Sequence, residues 1–173
     1  KRDELVAAGV VLKKNTAPSV DLEPEYIAVS GNTAYVALQE ANAVAVLNIE
    51  TLQFENIFSL GFENYSKVAV DLNKSDAKYD PKTYEKIKGI RMPDGISTVT
   101  INGETYLLTA NEGDSRAWPV GTETDTNEIK KKTSPVNSIK TGDKVTWFDA
   151  DQYDGLESGT DYVFGGRSFT VFK

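Results

Sequence analysis

Two segments of the chain repeat one another, and that repeat restricts the fold more than any other feature. Glu23–Asn42 (EPEYIAVSGNTAYVALQEAN) aligns with Met92–Asp114 (MPDGISTVTINGETYLLTANEGD), the second copy carrying the longer hairpin. Pro24-Glu25 falls on Pro93-Asp94, Ile27 on Ile96, and Tyr35 to Glu40 on Leu107 to Glu112. Each copy reads as a Pro-acid pair, a strand, a turn of Gly and Asn, a second strand and then an amide followed by Glu. A repeated hairpin of this kind is the signature of a β-propeller blade. Rotation relates blades, so equivalent positions of neighbouring blades meet at one rim. Glu25 with Asp94, and Glu40 with Glu112, are two such pairs.

The surrounding pattern predicts an all-β chain. Short runs rich in Val, Ile, Tyr and Phe, punctuated by Gly, Asn and Asp, read as strands over 6–12, 26–30, 33–38, 43–49 and 54–60. Strands resume at 96–101, turn at Asn102-Gly103, and continue at 105–110, 144–150 and 162–173. The expected architecture is antiparallel four-stranded meanders: roughly two to three β-propeller blades in an incomplete ring. Blade-like repeats fall at about 20–60 and 90–150, with a further blade starting at about 160–173, in a single partial propeller domain over 1–173. Two polar insertions, at about 61–90 and 117–143, read as long loops. A helical turn is expected at the end of the first, in TYEKIKG, and another within the second, in NEIKKK.

Composition narrows the chemistry. The chain of 173 residues has no cysteine and no histidine, so disulfides, thiolate or imidazole metal sites and a Ser-His-Asp triad are excluded. Any metal must be held by oxygen, which favours calcium, magnesium or manganese, calcium being the cofactor expected, and gives no reason to expect zinc, haem or a nucleotide. The net charge of −7 and pI near 4.7 disfavour nucleic acid as a partner. No apolar run approaches the ~20 residues of a membrane span, and Lys1-Arg2-Asp3-Glu4 is not followed by the apolar core of a signal peptide.

Three groups of acidic residues are candidate ligand sites. The first is the rim set: Glu25, Glu40, Asp94, Glu112 and Asp114, with Arg116 as a contact for an anion or, more simply, an ion-pair partner of Asp114 or Glu112. Carboxylates from several blades can wrap a hard cation. The second is DLNKSDAKYD, with Asp71, Asn73 and Asp76. Oxygen ligands alternate there, but the loop lacks the Gly and closing Glu of an EF-hand, and Asx turns explain it as well. The third is DADQYDG, whose Asp149, Asp151 and Asp154 have a spacing able to wrap calcium, or to form a plain acidic turn. The Gly pair of GGRSF could cradle an anion or kink a strand.

The blocks DLEPEYIAVSGNTAYVALQEANAVAVLNIET, MPDGISTVTINGETYLLTANEGDSRAW and DYVFGGRSFTVF resemble the bacterial choice-of-anchor I family. Its members are often labelled mesenchyme-specific cell surface glycoprotein-like, and some relatives alkaline phosphatases or phytase-like propellers. The resemblance implies an exported or surface-attached propeller with an anchor beyond it and with blades outside this chain. It also implies a partial ring whose open edges pair with a second copy. One departure is that NEGD-R is followed by AWPVGTETDTNEIKKKTSP, where many relatives carry a further acidic, aromatic run. Two functions follow as expectations: a secreted or cell-surface binding and scaffold module that takes calcium and an extracellular ligand or surface partner, or a calcium-dependent phosphoesterase. The isolated chain is not expected to be active.

Overall fold

The structure is a computed structural model that describes residues 1–73, 77–116, 126–130 and 144–173, with backbone alone at 126–130 and 144. The chain is all-β, built from several sheets, and among the described residues none of them closes on itself.

The first element corrects the sequence reading. The apolar run 6–12 is not a strand: helix α1 (Arg2–Ala7) occupies its first part, and only β1 (Leu12–Lys13) is extended. Asp3 and Glu4 lie in the first turn, where carboxylates oppose the helix dipole. Gly9 ends the helix in the left-handed region at φ 85. Its N–H donates to Val6 O and that of Val10 to Leu5 O, the paired bonds of a Schellman cap. Val10, Val11 and Leu12 then run fully buried across the protein. A short helix, α2 (Pro18–Asp21), follows with Pro at its start.

The first sheet matches its expected meander. Strands β2 (Ile27–Ser30), β3 (Thr33–Leu38), β4 (Ala43–Asn48) and β5 (Gln53–Ser59) pair antiparallel in that order. Alternation gives the sheet two apolar faces. Val36, Leu38, Ala43 and Ala45 pack beneath Val10 and Leu12, with Leu5 and Val6 of α1 beside them. Ala28 and Val44 face the other way, onto the second sheet.

Past β6 (Phe62–Asn64) and β7 (Ile87–Ile90), the second hairpin forms as expected from β8 (Pro93–Ile101) and β9 (Glu104–Asn111), turning at Asn102-Gly103 with both residues at positive φ. Its third strand comes from far along the chain. Beyond β10 (Thr126–Lys130), β11 (Lys144–Phe148), β12 (Tyr153–Asp154) and β13 (Asp161–Phe164), strand β14 (Ser168–Phe172) returns to pair with β9. The sheet order is β14-β9-β8. Leu107, Ile96 and Phe172 pack against Ala28, Tyr35 and Phe58 of the first sheet, so the two repeats lie face to face. On the opposite face Phe169 is 75% exposed.

The stretch read as an inserted loop over 61–90 supplies two strands to a third sheet, of order β10-β11-β13-β7-β6, in which β13 and β7 run parallel. TYEKIKG is a turn leading into β7, not a helical turn. The residues of NEIKKK up to Lys130 belong to strand β10, and the rest lie outside the described residues.

A buried ion pair ties these parts together. Asp21, at the end of α2, and Arg116, after β9, are both fully buried, with Arg116 Nε 2.8 Å from Asp21 Oδ1. Asp21 Oδ2 also accepts the N–H of Lys13 at 2.7 Å, and Arg116 Nη2 donates to Val11 O at 3.2 Å. The guanidinium carbon stands 4.9 Å from the Tyr153 ring centroid, a cation–π contact. Removing one partner of such a pair strands the other charge in the interior. Arg116→Leu is therefore expected to lower the unfolding free energy by about 3–5 kcal/mol in urea titrations; a loss under about 1 kcal/mol would show that Asp21 finds another counterion or a proton.

Candidate functional site

The rim residues sit at corresponding points of the two repeats. Glu25 lies on the exposed approach to β2, its N–H donating to Ala37 O at 3.0 Å. Glu40 lies in the β3–β4 turn and is only 6% exposed. Asp94 is half-buried at the start of β8, where the register with β9 shifts between Pro93 and Ile96. Glu112 and Asp114 are exposed just beyond β9.

A shared backbone feature aligns the copies. The residue before each Pro-acid pair takes a left-handed conformation rare for residues other than glycine: φ is 35 at Glu23 and 49 at Met92. Met92 is held by its N–H, which donates to the Asn42 side-chain oxygen at 3.0 Å. Asn42, fully buried in the β3–β4 turn, donates in turn to Gly61 O at 2.9 Å. One asparagine thus locks the acidic turn of the first repeat to the approach of the second.

A second constraint fixes Glu112. The turn at Gly113 runs so close to Gly165 that a Cβ on either glycine would collide with the other's backbone segment. Both take positive φ. The Gly pair of GGRSF therefore serves a backbone crossing rather than an anion cradle, and Gly166 N–H donates to Asn111 O at 3.1 Å.

The carboxylates of the rim feel one another. The Glu25 carboxyl is pushed above its usual range by burial first, then by Asp94, Glu23 and Asp114. Glu112 is raised by a hydrogen bond with Asp94, then by the charges of Asp94 and Asp114. Such a bond between two carboxyl groups requires a proton. Glu40 is raised to about 7, chiefly by burial. Its own backbone N–H and Arg116 pull it down, while Glu23 and Glu25 push it up. Glu40 Oε2 is buried with no hydrogen-bond partner. The structure thus relates Glu25 electrostatically to Asp94 and Asp114, Glu112 to the same two, and Glu40 to Glu25. It adds Glu23, which the sequence reading passed over because the matching position of the second copy is methionine. Among the described residues, no three acidic side chains stand close enough, as they lie, to hold a metal ion.

Arg116 stands apart from any anion site: its partner is Asp21, not Asp114 or Glu112. In the second candidate loop, Asp71 accepts the N–H groups of Asn73 at 3.1 Å and Asp80 at 3.0 Å, which closes an Asx-type loop. Those bonds, led by that from Asp80, hold its carboxyl below the usual range. Asp76 lies outside the described residues. The third group is divided. Asp154 pairs with Arg2 at 2.8 Å, while Asp149 accepts from Gln152 Nε2 at 2.7 Å. Asp149 and Asp151 line a cavity of about 380 Å³ together with Glu157 and Asp161.

Comparison with known proteins follows this geometry. The family model of the choice-of-anchor I domain matches residues 1–173, the whole chain, and the chain belongs to that family. No curated protein and no solved structure matches it. The family name points to cell-surface association, and among the described residues no helix is long and apolar enough to cross a membrane.

The state of Glu40 makes stability depend on pH. The folded protein holds its proton up to about 7, the unfolded chain only to about 4.5. Between these values the folded state binds more protons, so stability falls as pH rises through that window. The expected loss is about 3 kcal/mol by pH 8 in chelator-treated buffer. Glu40→Gln should flatten the profile and be the more stable protein at pH 8. Parallel wild-type and variant profiles in urea denaturation would show that Glu40 is ionised throughout.

Proposed function

We propose that this choice-of-anchor I domain is a cell-surface binding module of β-propeller type, and that the acidic rim between its two hairpins is the working face, dependent on calcium. What supports the reading is the raised Glu25 carboxyl of the first repeat, lifted by burial and then by the charges of Asp94, Glu23 and Asp114, two of them from the second repeat. Like charges held together by a fold are unfavourable unless a cation or protons neutralise them. With histidine and cysteine absent, the donors are all hard oxygens, which suit calcium. Two sheets that repeat one motif and stack face to face are the arrangement of adjacent propeller blades.

The alternative, a calcium-dependent phosphoesterase in the longer protein, has no comparable support. Its anion contact was Arg116, which is committed to Asp21. The acidic charge equally disfavours a polyanionic partner, so an uncharged or cationic surface ligand, bound at the rim or through a bridging calcium, fits better.

Calcium that binds only the folded state raises its melting temperature by mass action. At ~100 times its Kd the rise should be about 5–10 °C for a domain of this size. Magnesium should give less. The double variant Glu25→Gln/Asp94→Asn should lose more than half of the calcium effect. An unchanged melting temperature in millimolar calcium would remove calcium from the proposal and leave the surface module without its cation.

A further inference from the structure

We infer that strand β14 is an open docking edge, and that its occupant is the β14 strand of a second copy of this chain, paired antiparallel about a two-fold axis. The inference is independent of the acidic rim and of calcium. The two repeats differ at this edge. In the first sheet β4 is flanked on both sides, by β3 and β5. In the second, β8 and β9 take the places of β2 and β3, and β14 takes that of β4. The place that β5 fills in the first sheet has no strand among the described residues, so the outer N–H and C=O groups of β14 have no ladder partner there. Such a row is a template for one more strand.

Every other edge strand of the three larger sheets carries a device against such pairing. β2 is engaged by the second sheet, Thr98 Oγ1 donating to Val29 O at 3.0 Å. β5 carries Glu55 and a register shift against β4. β8 begins with Pro93-Asp94 and a register shift. β6 is three residues long and includes Glu63, and β10 includes Glu128 and Lys130. β14 has none of these. Ser168-Phe169-Thr170-Val171-Phe172 is regular against β9, uncharged and rich in strand formers. Phe169 and Val171 project from one face, 75% and 49% exposed. An uncharged strand also lets two copies of net charge −7 meet at a strip free of like charges. With the two-fold axis at Thr170, Phe169 of each copy faces Val171 of the other, an aromatic–β-branched pair made twice, and Thr170 faces its own mate. The flanking cations, Arg167 and Lys173, are each turned to an acceptor in their own copy, Asp71 O and Glu104 Oε2.

One short strand pair is small beside a standard protein interface, so the dimer should be weak and concentration-dependent. The test is sedimentation velocity of the whole chain from low micromolar to submillimolar concentration. The wild type should shift from monomer to dimer over that range. Phe169→Lys/Val171→Lys, which sets lysines opposite lysines at two exposed positions, should stay monomeric throughout. Ile101→Lys, on β8 at the far edge of the same sheet face, should dimerise as the wild type does. A dimer disrupted by Ile101→Lys as strongly as by the double variant is stacked face to face and overturns the edge pairing, as does a wild type that stays monomeric. The chain has no cysteine, so Thr170→Cys supplies the only thiol and tests the register without adding charge. Residues opposite each other in an antiparallel pair stand about 4.5–5.5 Å apart at Cα, within the span of a disulfide. Air oxidation should convert this variant to a covalent dimer in non-reducing electrophoresis, reversed by reductant. A variant that remains monomeric on oxidation overturns the pairing about Thr170.

Discussion

An ion pair with no exposed surface, Asp21–Arg116, is the constraint on which the rest of the structure depends. It joins the N-terminal segment to the chain leaving the second hairpin, and the same guanidinium rests on Tyr153 beside the third sheet. Charges so deeply placed contribute little net stability compared with apolar side chains of equal volume, but they tolerate only one arrangement of partners. Their effect is therefore to fix which segments meet. They also touch the electrostatics of the rim: Arg116 is paired with Asp21, while its charge still favours the ionised form of Glu40.

The two repeats then explain why the acids meet. Asn42 joins the acidic turn of one to the approach of the other, and the Gly113–Gly165 crossing presses the acidic turn of the second against the chain between β13 and β14. Neither contact involves a carboxylate. The scaffold holds like charges together through neutral hydrogen bonds and backbone packing, as a site must when its own residues repel one another.

How much of this could be read from the residues alone depended on the range of the interaction. Gly31-Asn32 and Asn102-Gly103 marked both hairpins, because turn chemistry is local. The corresponding placement of Glu25 and Asp94, and of Glu40 and Glu112, was visible through the repeat, which converts a distant relation into a sequence alignment. The segment 6–12 was misread because an apolar run of that length suits a strand or a buried helix alike, and the decisive signal was the lone Gly9. Strands β6 and β7 escaped notice because they are short and one of their partners, β13, lies some 70 residues on in a parallel pairing that no local pattern encodes. The partner of Arg116 was missed for the same reason: Asp21 is 95 residues away. Glu23 was overlooked because its importance lies in a backbone angle shared with a methionine.

The late arrival of β13 and β14 has a consequence for how the chain folds. The first sheet closes entirely through neighbours in sequence, within residues 27–59. The other two cannot. The second waits for β14 to cover β9, and the third waits for β13 to slot between β11 and β7. Local pairings form quickly, while distant ones must first meet the entropy of closing a long loop. Local pairing thus favours early formation of the meander over 27–59, while β13 and β14, paired with distant strands, complete two sheets at once. Glu23, Glu25 and Glu40 belong to the early unit, Asp94, Glu112 and Asp114 to the late one. The rim joins the two through Asn42 and the packing of the two hairpins, while β13 and β14 complete the sheets around it.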